Sequence, residues 1–256
     1  MKPTLDPIAG GLLRGLSPRS ILNPKTGEHS FAVGAAIFVA IAAQSAFGQT
    51  DQTWNTAGPT NVWNLADANW SPGSTWTQNN NAIFGTAGET VTVNTNAITF
   101  NDMTFNVNGY IIAAGSGTLV LGNDLASTIT VTNASDLATI TETIGDNLGG
   151  ASSLTKAGSG TLTLQGATSY TGATNINNGV LNLRSNSHTT SGYTVASGAQ
   201  LKISGVAIAT ANASITGSGV NNTGALLLDN TLGTTRFAAT SGAVTLSGLR
   251  VQDGSR

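Results

Sequence analysis

The 256 residues contain no cysteine, so neither disulfides nor thiolate metal sites hold the chain together. Charge is scarce: Asp, Glu, Lys and Arg make up 9%, against roughly a quarter in an ordinary soluble domain. With a formal net charge of -2 there is no basic footprint for nucleic acid and none for an anionic membrane surface. Helix signals are also few, because past residue 48 no apolar pattern is sustained at intervals of three and four. Only one long hydrophobic run exists, FAVGAAIFVAIAA at residues 31–43, and its 13 residues are too few for a bilayer-spanning helix of about 20.

What is present is small and polar. Glycine contributes 32 residues, and Thr, Asn, Ser and Ala supply much of the rest. Such a composition could signal disorder, but Leu, Ile and Val occur here in ordered alternation, which disordered chains lack. The expectation is a folded β protein with a hydroxyl-rich surface. The run at 31–43 follows Lys2, Arg14, Arg19 and Lys25 and precedes Ala46-Phe47-Gly48, the layout of a signal peptide cleaved before Gln49. A buried helix or a membrane anchor is the alternative for this run, and the leader is long and carries Asp6 and Glu28. Beyond residue 48 six cations face ten acids, a net charge of -4. With no transmembrane helix expected there and no cysteine, stability falls to the fold alone.

An internal period organises the rest. A small residue followed by alternating apolar positions appears at Leu119/Leu121, Leu162/Leu164, Leu181/Leu183, Leu201/Ile203, Leu226/Leu228 and Val244/Leu246. From Leu162 the steps are 19, 20, 25 and 18 residues, and Leu119 lies 43 before Leu162, about two such steps. Each element reads as a short strand bounded by glycine. A meander of hairpins also gives short strands, but the strongest matches share their sequence over a full twenty residues. That favours a coil returning to the same place, a parallel β-helix with leucines inward and residues such as Thr161 and Thr163 outward.

Leu154-Thr155-Lys156-Ala157-Gly158, then Gly160, Thr161, Leu162, Thr163 and Leu164, resembles the autotransporter-associated β-strand repeat, or passenger-associated transport repeat. The match runs on through Gly166, Tyr170, Thr171, Gly172, Thr174, Ile176 and Gly179 to Leu181 and Leu183. The resemblance implies an all-β, right-handed parallel β-helix in a secreted or surface-exposed passenger, with a repeat that supports export and carries no catalytic residues. It implies no cofactor. Autotransporters end in a membrane β-barrel, and no alternating, aromatic-girdled strands of that kind appear before Arg256. A barrel missing from this chain, or another export route, is therefore expected.

The organisation expected is a leader at 1–48, a Trp- and Asn-rich cap or first coils at 49–110, and β-helix repeats at 111–256, best preserved at 154–183. Trp54, Trp63, Trp70 and Trp76 fall in the middle segment. They read as a hydrophobic cap closing one end of the solenoid, or else as a platform whose indole faces stack on sugar rings. His188 lies in the polar run SNSHTTSG and reads as a solvated residue. Asp136, Glu142 and Asp146 form the densest acid cluster; they read as solvated surface acids, against a calcium site or a glycosidic pair. The sequons at Asn69, Asn133, Asn212 and Asn221 follow from an Asn/Thr-rich composition. The function expected is a structural passenger that contacts glycans or other surface proteins. A polysaccharide-acting enzyme on the same scaffold, or a carbohydrate-binding module using the tryptophans, is the alternative.

Overall fold

Short runs rich in Thr, Val, Ile and Leu, broken by Gly and Asn, cannot form long strands. They form many short ones. The computed structural model describes residues 49–247 apart from 72–73, 96, 123, 211 and 241; the leader and cleavage site expected at 1–48 lie outside these described residues. Strands at three successive positions along the chain return in a fixed order, and each pairs in parallel with the strand one turn away. This is a parallel β-helix.

The first face runs from Asp51–Trp54 through Asn81–Phe84, Met103–Phe105, Ala126–Val131, Ser153–Ala157, Thr174–Ile176, Gly192–Val195 and Asn212–Thr216 to Val244–Ser247. The second runs from Val62–Trp63 through Thr90–Val93, Ile111–Ala113, Leu137–Ile140, Thr161–Leu164, Val180–Leu183 and Gln200–Ser204 to Leu226–Asp229. The third holds Ile98–Phe100, Leu119–Leu121 and Ile144–Gly145, then thins to single bridges at Thr168 and His188. Near the far end Ala207–Thr210 pairs with Arg236–Ala239. No helix among the described residues is long and apolar enough to cross a membrane, which says nothing of a β-barrel.

Because side chains alternate across a strand, stacking in register sorts them into columns. On the second face Ile112, Ile140, Leu164, Leu183 and Ile203 form one inward column, with Ala138, Leu162, Leu181 and Leu201 beside it. On the first face Met103, Ile129, Ile176, Val195 and Ile215 share an inward column. Phe84 stacks on Phe105 at 5.0 Å and 14° in the neighbouring one. All these side chains join a single buried cluster. Each of the larger side chains, Ala138 excepted, stabilises by about 1.5–3 kcal/mol relative to exposure.

Three expectations change. Leu119 and Leu121 belong to the third face and are not one step of the Leu162 column; the residue in register with Leu162 is Ala138. Val244 and Leu246 pair with Ala213 and Ile215 on the first face, not with the Leu226 strand. Alternation reveals which way a residue points but not which face its strand occupies. Thr163, expected to be solvated, is only 4% exposed. It points away from Leu162 and Leu164, yet Thr139 and Asn182 flank it in register, and Asn182 Nδ2 donates to its hydroxyl at 3.5 Å.

Candidate functional site

The coil at 154–183 has an inward side chain that departs from the apolar rule. Register places Lys156 between Ile129 and Ile176, in an otherwise hydrophobic column, and it is 0% exposed. A buried ammonium must find acceptors or lose its charge. Here Nζ donates to Ala157 O at 2.7 Å, Gly158 O at 2.8 Å and Asn178 O at 3.2 Å. Three protons meet three carbonyls, from two corners of successive coils. Burial pulls the ammonium down to about 8, while carbonyl oxygens around it favour the protonated form.

Two glycines make this cage. Gly158 has φ +73, and a Cβ there would meet Val131 O at 2.2 Å. Gly179 has φ +64, and its Cβ would meet Gly160 O at 2.4 Å and Gly158 O at 2.6 Å. Both conformations disfavour L side chains, and both sites lack room for one. The corners can therefore close down far enough for Lys156 to touch both.

The rest of the repeat surrounds a second polar island inside the solenoid. Tyr170 OH lies 2.8 Å from Thr174 Oγ1, which donates to Thr190 Oγ1 at 3.0 Å; Thr190 in turn donates to Gly172 O at 2.8 Å. Burial raises the Tyr170 hydroxyl well above its ordinary pKa, against hydrogen bonds from Thr174 and Thr168. Thr171, on the outside, donates its hydroxyl to Asp146 at 2.7 Å. The repeat residues Gly160, Thr161, Gly166, Leu162, Leu164, Ile176, Leu181 and Leu183 form the strand and corners enclosing these groups.

His188, expected to be solvated, is 9% exposed and continues the third-face position after Thr168. Its Nδ1 lies 3.0 Å from Thr168 Oγ1, and Nε2 has no hydrogen-bond partner among the described residues. Burial lowers the imidazole to about 4. The polar run around it suggested a loop. Nothing in that run shows that the coil turns this one side chain inward.

The acids are not a solvated cluster either. Asp136 is buried and accepts from Asn133 Nδ2 at 2.8 Å. Glu142 is buried and accepts from the amides of Gly115 and Thr143. Asp146 accepts from the amides of Ser152 and Thr171; burial pulls its carboxyl upward, but hydrogen bonds from Thr171 and Ser152 outweigh this and hold it below its ordinary value. Each acid is bound to a different corner. Among the described residues no three His, Cys, Asp or Glu side chains gather as a metal site would require.

All four tryptophans are buried, at 0–3% exposure. Trp63 and Trp70 centroids lie 4.9 Å apart, and Trp76 sits 5.0 Å from Trp63 and 4.6 Å from Trp70. Trp54 packs edge-on to Trp70 at 5.2 Å and donates from Nε1 to Glu89. The faces that would stack on sugar are occupied by other rings, which removes the stacking platform. The strands bearing Trp63 and Trp70 lie at the edges of their sheets, and Trp70–Ser71 turns antiparallel to Asp51–Trp54. Asn69 pins this turn, donating to Thr60 Oγ1 at 2.9 Å and Val62 O at 2.7 Å.

A stack of three-faced coils, closed around ordered polar side chains and strung with glycine corners, is a parallel β-helical repeat solenoid. Residues 154–183 match the family model described as the passenger-associated transport repeat, so this is a β-helical protein bearing an autotransporter-associated repeat. Over 200 residues the chain is 33% identical to the adhesin BmaC autotransporter of Brucella suis biovar 1 (strain 1330), covering 71% of this chain and 6% of that protein. The chain thus spans only a small part of that relative's length. No solved structure matches.

Proposed function

We propose that this chain is a surface-displayed passenger segment, a solenoid carried outside the cell that makes adhesin-like contacts. The observation that supports it most is the passenger-associated transport repeat at 154–183, stacked in register with the coils on both sides. The relative's description as an autotransporter adhesin supports the same reading. Contact would be spread along outward columns repeated from coil to coil, each weak and many together strong. Export through the apolar run at 31–43, with cleavage before Gln49, belongs to this reading.

Expression of the full gene in a Gram-negative host tests it. Protease applied to intact cells removes the chain, terminal sequencing of exported protein begins within a few residues of Gln49, and deletion of residues 154–183 abolishes display. A chain retained inside the cell, or exported with its terminus before Phe31, refutes the reading.

A further inference from the structure

Outward residues on the second face bond to one another. Asn182 donates to Thr163 and accepts from Ser204 Oγ at 2.8 Å, and Lys202 pairs with Asp229 at 2.9 Å. The later coils of the first face differ. Thr155, Asn175, Thr194, Ser214 and Thr245 stand in register in one outward column. None of these five side chains has a hydrogen-bond partner among the described residues. A column of hydroxyls and one amide is left open to whatever lies outside.

Beside the last three members runs a groove of about 400 Å³. The small residues Ala173 and Gly192 leave it room, and Ser191 and Asn212 add further polar groups that have no partner among the described residues. No ionisable acid or base lines it, and its one aromatic residue, Tyr193, is buried. These features select a ligand. A charged one would find no counter-charge. A peptide strand could not pair across this face, because the strands of Thr194 and Ser214 are hydrogen-bonded on both sides; among the described residues only the outer edge of Val244–Ser247, at the end of the stack, is left unpaired. What fits is an uncharged chain carrying hydroxyls at regular intervals. One rung recurs per coil at ~4.8 Å, so Thr194 to Thr245 spans roughly 10 Å over two steps, the reach of a short oligosaccharide.

We propose that this groove binds a linear neutral glycan running along the stack, exchanging hydrogen bonds with Ser191, Thr194, Asn212, Ser214 and Thr245. The proposal rests on the surface-passenger reading, since only a displayed chain meets such polymers. Direct and water-bridged hydroxyl contacts would share the binding.

Calorimetric titration of the full chain with cello-, xylo- and manno-oligosaccharides, and with oligogalacturonate as the acidic comparison, tests it. Binding to at least one neutral series is expected. The triple variant Thr194→Ala/Ser214→Ala/Thr245→Ala should weaken it about tenfold or more. Asn212→Trp, which obstructs the groove, should abolish it, and Thr139→Ala on the second face should leave it unchanged. All variants should keep the parental unfolding midpoint. No binding to any neutral series, preference for oligogalacturonate, or an unaffected triple variant overturns the proposal. Surface display is scored separately by protease on intact cells. A displayed chain without glycan binding sinks only this proposal, and glycan binding by a chain that is never displayed sinks only the passenger reading.

Discussion

Lys156 and His188 are both buried titratable groups, and they behave oppositely when altered. Lys156 is fully bonded, so Lys156→Met keeps the column filled but strands three carbonyls. A loss of about 2 kcal/mol from urea unfolding is expected, since each buried polar group left unpaired costs about 1–3 kcal/mol and the corners can relax. Unchanged stability would show that the cage is dispensable. His188 has one bond and a bare Nε2, so it is held neutral. Its folded pKa, about 4, lies below the ordinary 6.5. Between those values the unfolded chain takes up a proton that the fold refuses, and stability therefore falls as pH drops from 6.5 towards 4. The full loss is about 3 kcal/mol. Midpoints at pH 7 and pH 4.5 should separate widely for the parent and converge in His188→Gln. Equal separation in both proteins would assign the titration elsewhere. The carboxylates with lowered pKa, Asp146 and Asp229, lose their contribution only below their ordinary 3.8, outside this window.

At the scale of the strand, the lesson is what alternation can and cannot convey. The leucines at Leu162, Leu164, Leu181, Leu183 and Leu201 were legible as one buried array because period-two spacing and glycine corners both repeat there. The position of Leu119 and Val244 on other faces was not, because an inward residue looks alike on all three faces. Polar interior residues were also hidden: Thr174, Tyr170 and His188 resemble loop residues until neighbouring coils supply their partners. Thr163 shows the same limit from outside, as its burial comes from Asn182 one coil away. Three aspartates test this ranking. Leu164→Asp should cost more than 4 kcal/mol, or prevent folding, by placing an unpaired charge in the interior. Thr163→Asp should cost about 1 kcal/mol, and Thr194→Asp, at an exposed position of the first face, should stay within about 0.5 kcal/mol. Denaturant midpoints in any other order would mean that the faces are misassigned.

Across the whole solenoid each coil touches only the ones next to it, so damage should stay local. Trp63→Ala removes the ring that contacts Trp70, Trp76 and Phe84. A loss of about 3–5 kcal/mol is expected, concentrated at that end. Hydrogen exchange should accelerate at Asp51–Trp54 and Asn81–Phe84 while Thr161–Leu164 and Val180–Leu183 stay protected. Uniform acceleration along the chain would show that the coils unfold as one unit. Parallel register has a mechanical consequence as well. The backbone hydrogen bonds between coils, such as those joining Leu162 to Leu181 and Leu181 to Leu201, lie along the stacking axis, the direction in which a load on the two ends would act. Tension would therefore open one rung at a time and never shear a whole sheet at once. The solenoid would pay out slack coil by coil at modest force and recoil when released, as a tether that yields before it breaks.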